Sequence, residues 1–159
     1  MLAQLQLSEQ ERRAVVRYIE AFSKRFKEEK PGQAIAIPPA SPANPKLVAL
    51  GRTKYEEAGC SQCHGQDGRG SGPSAKGLKD DWGNPISPSD LTLKPFKSGP
   101  NPEDLYRTLS TGLNGTPMPS YAAAFSTNER WALVSYILAI ATREKPRGMM
   151  ALSARRSMA

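Results

Sequence analysis

Two cysteines separated by two residues, and followed at once by a histidine, lie near the middle of the chain. They are Cys60, Cys63 and His64. On one helical turn, two such thiols can each form a thioether with a vinyl group of the same porphyrin. The adjacent imidazole then lies under the iron as an axial ligand. The spacing therefore indicates covalent attachment of a c-type haem.

Other uses of these residues remain open at this point. A structural zinc site needs four ligands, and the chain has no cysteine or histidine besides Cys60, Cys63 and His64. A carboxylate would have to be the fourth ligand. A thioredoxin-like redox pair needs a βαβ setting, and strand patterns are missing here. A Cys60–Cys63 disulfide would close a very small loop. The single histidine also excludes a haem with two histidine ligands from one chain.

A long segment rich in glycine and proline follows the motif, over residues 65–100. A loop of this length without helices or strands is uncommon inside a compact domain. It is explained if the loop wraps a large, flat cofactor, which then supplies the core that the loop lacks.

A methionine between two prolines lies further along the chain. Met118 is flanked by Pro117 and Pro119 and follows two glycines. Because proline fixes φ, the thioether is presented with little conformational freedom left to lose. Methionine as a second axial ligand raises the haem potential relative to harder ligands. Met118 is therefore a candidate ligand, with ordinary core packing as the alternative.

Apolar residues at helical spacing predict helices over residues 8–30, 46–59, 102–110 and 126–142. The second helix runs into the cysteine motif, and Gly51 within it suggests a close backbone contact. The last helix is apolar over most of its surface and should be buried on more than one side. The most apolar run is 11 residues long, shorter than the ~20 residues that cross a bilayer.

The first predicted helix repeats the last one. With a shift of 118 positions, 8 of the 14 residues from Ser8 to Ala21 are identical to those from Ser126 to Ala139. Both helices begin with a Ser-x-x-Glu capping box. Two amphipathic helices can look alike by chance, but the shared caps, arginine, tyrosine and isoleucine favour a true repeat.

The charge of the chain is spread over its length. The formal net charge of +7 divides into +2 for residues 1–45, +2 for residues 46–146 and +3 for the remainder. This distribution predicts a basic, disordered tail over residues 147–159 and not a nucleic-acid-binding stripe. Residues 31–45 are rich in proline and alanine and are typical of an interdomain linker.

With these features assembled, residues 46–143 resemble the class I cytochrome c family, and in particular its bacterial multi-domain or enzyme-associated members. The resemblance implies an all-α fold of three to four helices and long loops around one covalent haem, plus an extra N-terminal helix. It rests on four motifs, namely Cys60-Ser61-Gln62-Cys63-His64, Gly70-x-Gly72-Pro73, Thr116-Pro117-Met118-Pro119 and Trp131-x-x-x-x-Tyr136.

The resemblance also implies roles for individual residues. Cys60 and Cys63 hold the haem, His64 is the proximal iron ligand and Met118 the distal one. The carbonyl of Pro73 is expected to accept the other ring N–H of His64. The first and last helices of the domain are expected to cross at a small residue and an aromatic, with Gly51, Tyr55 and Tyr136 as candidates. The candidates for contact with the haem propionates are Trp82, Asn84 and Arg107.

The function implied is one-electron transfer by one haem c per chain, with no substrate chemistry of its own. The chain is expected to be an electron carrier, or part of a larger oxidoreductase, in the periplasm or another extracytoplasmic compartment and in a respiratory chain. Its expected partners are redox proteins and the haem-maturation machinery, without nucleic acid or a transmembrane segment. The alternatives are a haem enzyme or gas sensor with an open distal site, and a truncated gene product without haem.

The orphan N-terminal helix departs from the family pattern. Residues 1–30 are interpreted as the remnant of a preceding cytochrome c domain, since they copy the closing helix of residues 46–146. Met1 precedes Ser8 by 7 positions and Met118 precedes Ser126 by 8, so Met1 would correspond to the axial methionine of that domain. A reading frame that begins further upstream would also explain why the first residues do not form a signal peptide. A true start at Met1 is the alternative.

Overall fold

A computed structural model describes residues 7–30, 34–141 and 143–144. The described residues fall into two compact units, which divide between Ile35 and Ala36. Met1 and the predicted tail, residues 147–159, lie outside the described residues. Residues 34–44 of the predicted linker contain neither helix nor strand.

The first unit contains two helices, α1 (Glu9–Glu20) and α2 (Arg25–Glu28). The prediction of one uninterrupted helix over residues 8–30 is therefore wrong. Beyond α1 the backbone tightens into a turn, in which the Phe22 N–H donates to the Ile19 carbonyl at 3.0 Å. The hydroxyl of Ser23 then accepts from the Arg25 N–H at 3.3 Å. Serine competes with the helix in this way by bonding to nearby backbone.

The second unit is mostly helical, as predicted. Its helices are α3 (Pro45–Glu57), α4 (Cys60–His64), α5 (Pro102–Thr111) and α6 (Thr127–Ile140), with a short 3₁₀ turn at Pro73–Ala75. Two strands of two residues each, β1 (Leu93–Lys94) and β2 (Arg143–Glu144), pair in parallel with Leu93 opposite Arg143. The sequence did not predict this pair. No helix in the described part of the chain has the length and apolar character that crossing a membrane requires.

A left-handed glycine separates α3 from α4. Gly59 has φ +69°, a conformation that glycine adopts without the steric cost that other residues incur. The predicted helix of residues 46–59 therefore ends early and does not run continuously into the cysteine motif. The turn places both cysteines and the histidine on a separate short helix.

α3 and α6 cross at a glycine. A Cβ at Gly51 would clash with the Ala132 carbonyl and lie 2.8 Å from the Cβ of Tyr136. The rings of Tyr55 and Tyr136 meet edge to face, with centroids 5.3 Å apart. Lys54 adds an ion pair with Glu129 at 2.8 Å. The predicted crossing at Gly51, Tyr55 and Tyr136 is confirmed.

α5 covers a second side of α6. The ring of Tyr106 stacks on Trp131, with centroids 4.5 Å apart, and the guanidinium of Arg130 lies 4.9 Å from the Tyr106 ring. Arg130 also donates to the Ser110 hydroxyl at 2.7 Å. α6 is therefore buried on two sides, as its almost wholly apolar sequence predicted, and seven consecutive residues from Trp131 to Ile137 are buried.

Candidate functional site

α4 carries the three residues that the sequence singled out. Both thiols are unbonded and half-buried, so the structure gives no support to a Cys60–Cys63 disulfide. Among the residues that the structure describes, no three histidine, cysteine or acidic side chains are grouped so that they could hold a metal ion. A zinc site built on Cys60, Cys63 and His64 is therefore unsupported as well.

The histidine is oriented by a backbone carbonyl. Nδ1 of His64 lies 3.0 Å from the carbonyl oxygen of Ser89. A carbonyl can only accept, so the ring proton is on Nδ1 and the lone pair is on Nε2. Burial lowers the pKa of His64, and the bond to Ser89 partly opposes that shift. The side chain is thus a neutral imidazole with Nε2 available to a metal, the form in which histidine ligates iron.

This bond corrects the expectation that the Pro73 carbonyl would accept from His64. Pro73 begins a 3₁₀ turn, and the glycine before it already bonds to the carbonyl end of α4. The segment with Ser89 instead passes over Gly70, where a Cβ would lie 2.6 Å from the Pro88 carbonyl oxygen. Gly70 has φ +76°, so both its conformation and its lack of a side chain let this segment reach the histidine ring.

The glycine-rich loop completes the hydrogen bonding of α4. The N–H groups of Gly70 and Gly72 donate to the carbonyls of His64 and Cys63, at 2.7 and 3.2 Å. The buried hydroxyl of Tyr55 donates to the Gly65 carbonyl at 2.7 Å. The last carbonyls of a helix have no partner within it, and here the loop and α3 supply those partners. α4 is held in place although it has only five residues.

A cavity of about 510 Å³ lies within this loop, lined by residues 70–72, 75–78 and 85–88. A Cβ at Gly72 would clash with the Ser61 and Gln62 carbonyls, so the cavity wall lies directly against α4. Two unbonded thiols on one helix, a histidine with Nε2 free and a side-chain-poor cradle fit a covalently bound haem. Cys60, Cys63, His64 and Met118 do not line this cavity, so the fit to a haem rests on the donor groups of α4.

Met118 has a fixed backbone and a half-buried side chain. Its carbonyl accepts from the Leu113 N–H at 3.1 Å, and its own N–H donates to the Thr116 hydroxyl at 3.3 Å. Its side chain packs against the same apolar core that Cys60 and Tyr121 contact. The positioning that the flanking prolines suggested is thus supported by two hydrogen bonds, whereas ligation by Met118 stays a prediction.

Tyr121 is a site residue that the sequence did not reveal. Its hydroxyl lowers the pKa of Cys60, but burial has the larger effect and raises that pKa to about 11. Burial, with a contribution from Cys60, also raises the pKa of Tyr121 to about 12. Neither Tyr121 nor Ser89 belongs to a motif, so only the tertiary structure identifies them.

The three candidates for propionate contact are each tied to a local partner. Trp82 is 79% exposed, and its ring would lie 2.8 Å from a Cβ at Gly115. The Asn84 amide donates to the Asp80 carboxylate at 3.1 Å. Arg107 donates to Asp104 at 2.7 Å. All three lie at the surface, and their contact with a haem remains a prediction.

The fold and the site define a small helical domain of the kind that holds a haem through two thioethers. A family model of cytochrome c matches residues 48–141. The chain belongs to the cytochrome c family, as its resemblance to that family indicated. Membership implies covalently bound haem c and haem-based electron transfer.

A chain of the Kuenenia stuttgartiensis reducing HAO-like protein complex is a similar solved structure. It is 41% identical in sequence, with a TM-score of 0.81, and the match covers 84% of this chain and 61% of that one. The present chain therefore spans less than two thirds of the length of that relative. A comparison with curated proteins found no match.

Proposed function

We propose that this chain transfers single electrons through one covalently bound haem c, with His64 and Met118 as the axial ligands. When bound, the haem supplies an iron that changes between the ferric and ferrous states. Cys60 and Cys63 form the thioethers from a single helix. The protein contributes ligands, burial and orientation, and no acid–base pair acts on a substrate.

The observation that carries the proposal is the hydrogen bond between His64 Nδ1 and the Ser89 carbonyl. It leaves Nε2 as the only ring nitrogen with a free lone pair, on the residue directly after the second cysteine. A partner of this kind also makes the imidazole a stronger electron donor and fixes its orientation. Ser89 is therefore a positioning residue, acting on the iron only through His64.

Met118 is proposed as the ligand from the opposite face. The two hydrogen bonds that fix its backbone and the prolines on either side leave few conformations open to it. With both His64 and Met118 bound, the iron would have no position open to small ligands, which favours electron transfer over catalysis or gas binding. Because thioether ligation raises the potential, Met118→His should lower it.

The cellular setting belongs to the same proposal. Cytochrome c domains are usually extracytoplasmic, so we place this chain in the periplasm or an equivalent compartment and in a respiratory chain, after maturation by the haem-attachment machinery. The similar chain from Kuenenia stuttgartiensis belongs to a complex. By analogy, this chain would serve as an electron-transferring subunit or domain of a larger oxidoreductase, next to redox partners that dock near the haem edge.

The decisive experiment is expression with an export signal and haem-maturation machinery, followed by a denaturing gel stained for covalent haem. The chain should stain, and its mass should correspond to one haem per chain. The double variant Cys60→Ala/Cys63→Ala should not stain. The ferric spectrum should contain the methionine charge-transfer band, and ferrous protein should not react at once with carbon monoxide.

Met118→Ala should abolish the band and open the ferrous protein to carbon monoxide, whereas Met149→Ala serves as a matched control and should leave both unchanged. If the wild-type protein binds carbon monoxide at once, the site is open, and a haem enzyme or gas sensor is the better description. Absence of stain under full maturation would reject haem attachment altogether.

The propionate contacts are a finer part of the proposal. Trp82, Asn84 and Arg107 are polar or amphipathic groups at the surface, where charged propionates are favoured. Substituting a true contact would shift the reduction potential without loss of covalent haem or of the methionine band. Glu103→Gln, at an exposed position of α5, shows how far an ordinary surface substitution shifts the reduction potential.

A further inference from the structure

α1 exposes a row of large apolar side chains. Val15, Tyr18 and Ile19 are 47%, 68% and 50% exposed, and Phe22 beyond the helix is 71% exposed. The residues at the same positions of α6, namely Leu133, Tyr136 and Ile137, are 0%, 8% and 6% exposed. Exposed apolar side chains of this size, of which Tyr18 and Phe22 contact each other, mark an interaction surface.

The two helices share their geometry as well as their sequence. In α1 the Ser8 N–H donates to the Glu11 carboxylate at 2.8 Å, and the Glu11 N–H donates to the Ser8 hydroxyl at 3.3 Å. In α6 the corresponding distances between Ser126 and Glu129 are 2.9 and 3.3 Å. The packing of α6 can therefore serve as a guide to what covers α1.

The side of α6 that faces α3 is reproduced fully in α1, whereas the side that faces α5 is reproduced only in part, with Arg12 in place of Arg130. The residues of α6 that face α3 are Glu129, Ala132 and Tyr136, and their counterparts Glu11, Ala14 and Tyr18 are identical. On the side of α6 that faces α5, the buried Trp131 corresponds to Arg13, which donates to Glu9 at 3.1 Å. Buried Ser135 corresponds to Arg17. The α3-facing residues of α6 therefore have identical counterparts in α1, whereas two of its buried α5-facing residues are replaced by arginine.

We propose that the face of α1 formed by Glu11, Ala14 and Tyr18 binds a helix of the α3 type from another cytochrome c domain. That helix carries a glycine at the crossing point and an aromatic residue four positions later. In this chain Gly51 lets α3 approach the Ala132 backbone, and Tyr55 packs its ring against Tyr136. Ala14 and Tyr18 offer the same two contacts.

Charge complementarity supports the same occupant. Lys54, three residues after the glycine of α3, pairs with Glu129 at 2.8 Å. Glu11 holds the equivalent position on α1, so the partner helix should carry a basic residue three positions after its own glycine. An acidic or uncharged helix would leave this carboxylate without its counterpart.

The solved relative is long enough to contain such a partner. The match with the Kuenenia stuttgartiensis chain leaves more than a third of that chain outside the present sequence. In this chain α6 already covers the corresponding face of α3. The inference does not depend on the proposed iron ligation, since it concerns α1 alone.

The test uses the full chain and a peptide with the sequence of residues 44–58, stapled between the exposed positions 52 and 56 to keep it helical. A photo-reactive p-benzoylphenylalanine replaces Tyr18 in one variant and Arg17 in the control. Irradiation followed by peptide mapping should find the peptide cross-linked to position 18 at least tenfold more than to position 17. A peptide with Gly51→Leu should lose this cross-link, because leucine prevents the close approach.

Three results with the peptide would overturn the inference. They are no cross-link at position 18, equal cross-linking from positions 17 and 18, and a cross-link that survives Gly51→Leu in the peptide. A cross-linked dimer of the chain, formed equally well without peptide, would assign the face to a second copy and would likewise reject an α3-type partner. Each experiment measures cross-linking at positions 17 and 18 of α1, so the result does not depend on whether haem is bound.

Discussion

α1 and α6 begin with the same cap, share 8 of 14 residues and meet opposite environments. α6 is packed between α3 and α5, whereas the large apolar residues of α1 are exposed. The difference shows that the sequence of such a helix determines which side is apolar. Whether that side is buried depends on the elements that pack against it. Most helix stability in proteins comes from tertiary packing of that face, and here the covering surface is a second helix with a glycine at the crossing.

The largest expected difference between the two helices is at the position where their sequences differ most. Trp131→Ala removes a fully packed indole that stacks on Tyr106, which should lower the free energy of unfolding by about 3–5 kcal/mol. The matched change in α1, Arg13→Ala, should alter it by less than ~0.5 kcal/mol, as for other surface changes. Denaturant unfolding followed by circular dichroism measures both, and equal effects would contradict the comparison.

Gly51→Ala should give the next largest effect. The added Cβ meets the Ala132 carbonyl, a backbone group that cannot move without separating the helices. Overpacking of this kind costs about 1–3 kcal/mol of unfolding free energy. Arg52→Ala, on the exposed side of α3, is the control in the same unfolding assay. If Gly51→Ala left the free energy of unfolding unchanged, the crossing would accommodate a larger side chain than the structure indicates.

Removing the helix caps should have a smaller effect. Ser126→Ala deletes the hydroxyl that accepts from the Glu129 N–H, at a cost of about 1 kcal/mol. Ser8→Ala deletes the same bond in α1 and should leave the unfolding of the cytochrome c unit unchanged. Its effect should be confined to faster hydrogen exchange of the α1 amides, and loss of global stability by Ser8→Ala would mean that α1 folds with that unit.

The smallest expected effect is in the dependence on pH. The hydrogen bond from Lys54, followed by those from Ser126, lowers the pKa of Glu129 from 4.5 to about 2. A lowered pKa in the folded state stabilises the fold above the unfolded pKa, and the stabilisation is lost as pH falls towards the folded value. Glu129→Gln should therefore flatten the change of melting temperature between about pH 4.5 and 2.

Glu11→Gln is the counterpart in α1. Hydrogen bonds from Ser8 alone lower the pKa of Glu11, since no lysine faces it among the described residues of α1. Because only the cap bonds lower this pKa, Glu11→Gln should flatten the pH dependence of the melting temperature less than Glu129→Gln does. If both variants flatten it equally, the Lys54–Glu129 pair is not the source of the effect.

The sequence predicts those parts of the fold that are encoded locally. Apolar spacing and caps locate α5 and α6 within one or two residues, and Gly51 correctly predicts the close crossing. Family membership agrees with the resemblance carried by the cysteine motif. Each of these signals lies within a few neighbouring positions.

What the sequence does not predict depends on contacts between distant segments. Which carbonyl accepts the hydrogen bond from His64 depends on how the loop folds over Gly70. The acceptor is the Ser89 carbonyl and not that of Pro73, and no sequence motif indicates this difference. The break at Gly59 and the turn after α1 end helices whose periodic patterns continue. Tyr121 becomes a neighbour of Cys60 only when the loop after Met118 packs on the core.

Tyr55 connects the crossing of α3 and α6 with the segment that carries His64. The same side chain packs at the meeting point of α3 and α6 and holds the carbonyl of Gly65, next to the histidine. If the helix pair loosened, Tyr55 would also release the carbonyl next to His64, the residue proposed to bind iron. The absorption spectrum of the mature protein would then report whether α6 has docked on α3. Tyr55→Phe would remove this dependence, because it deletes the hydroxyl and keeps the ring.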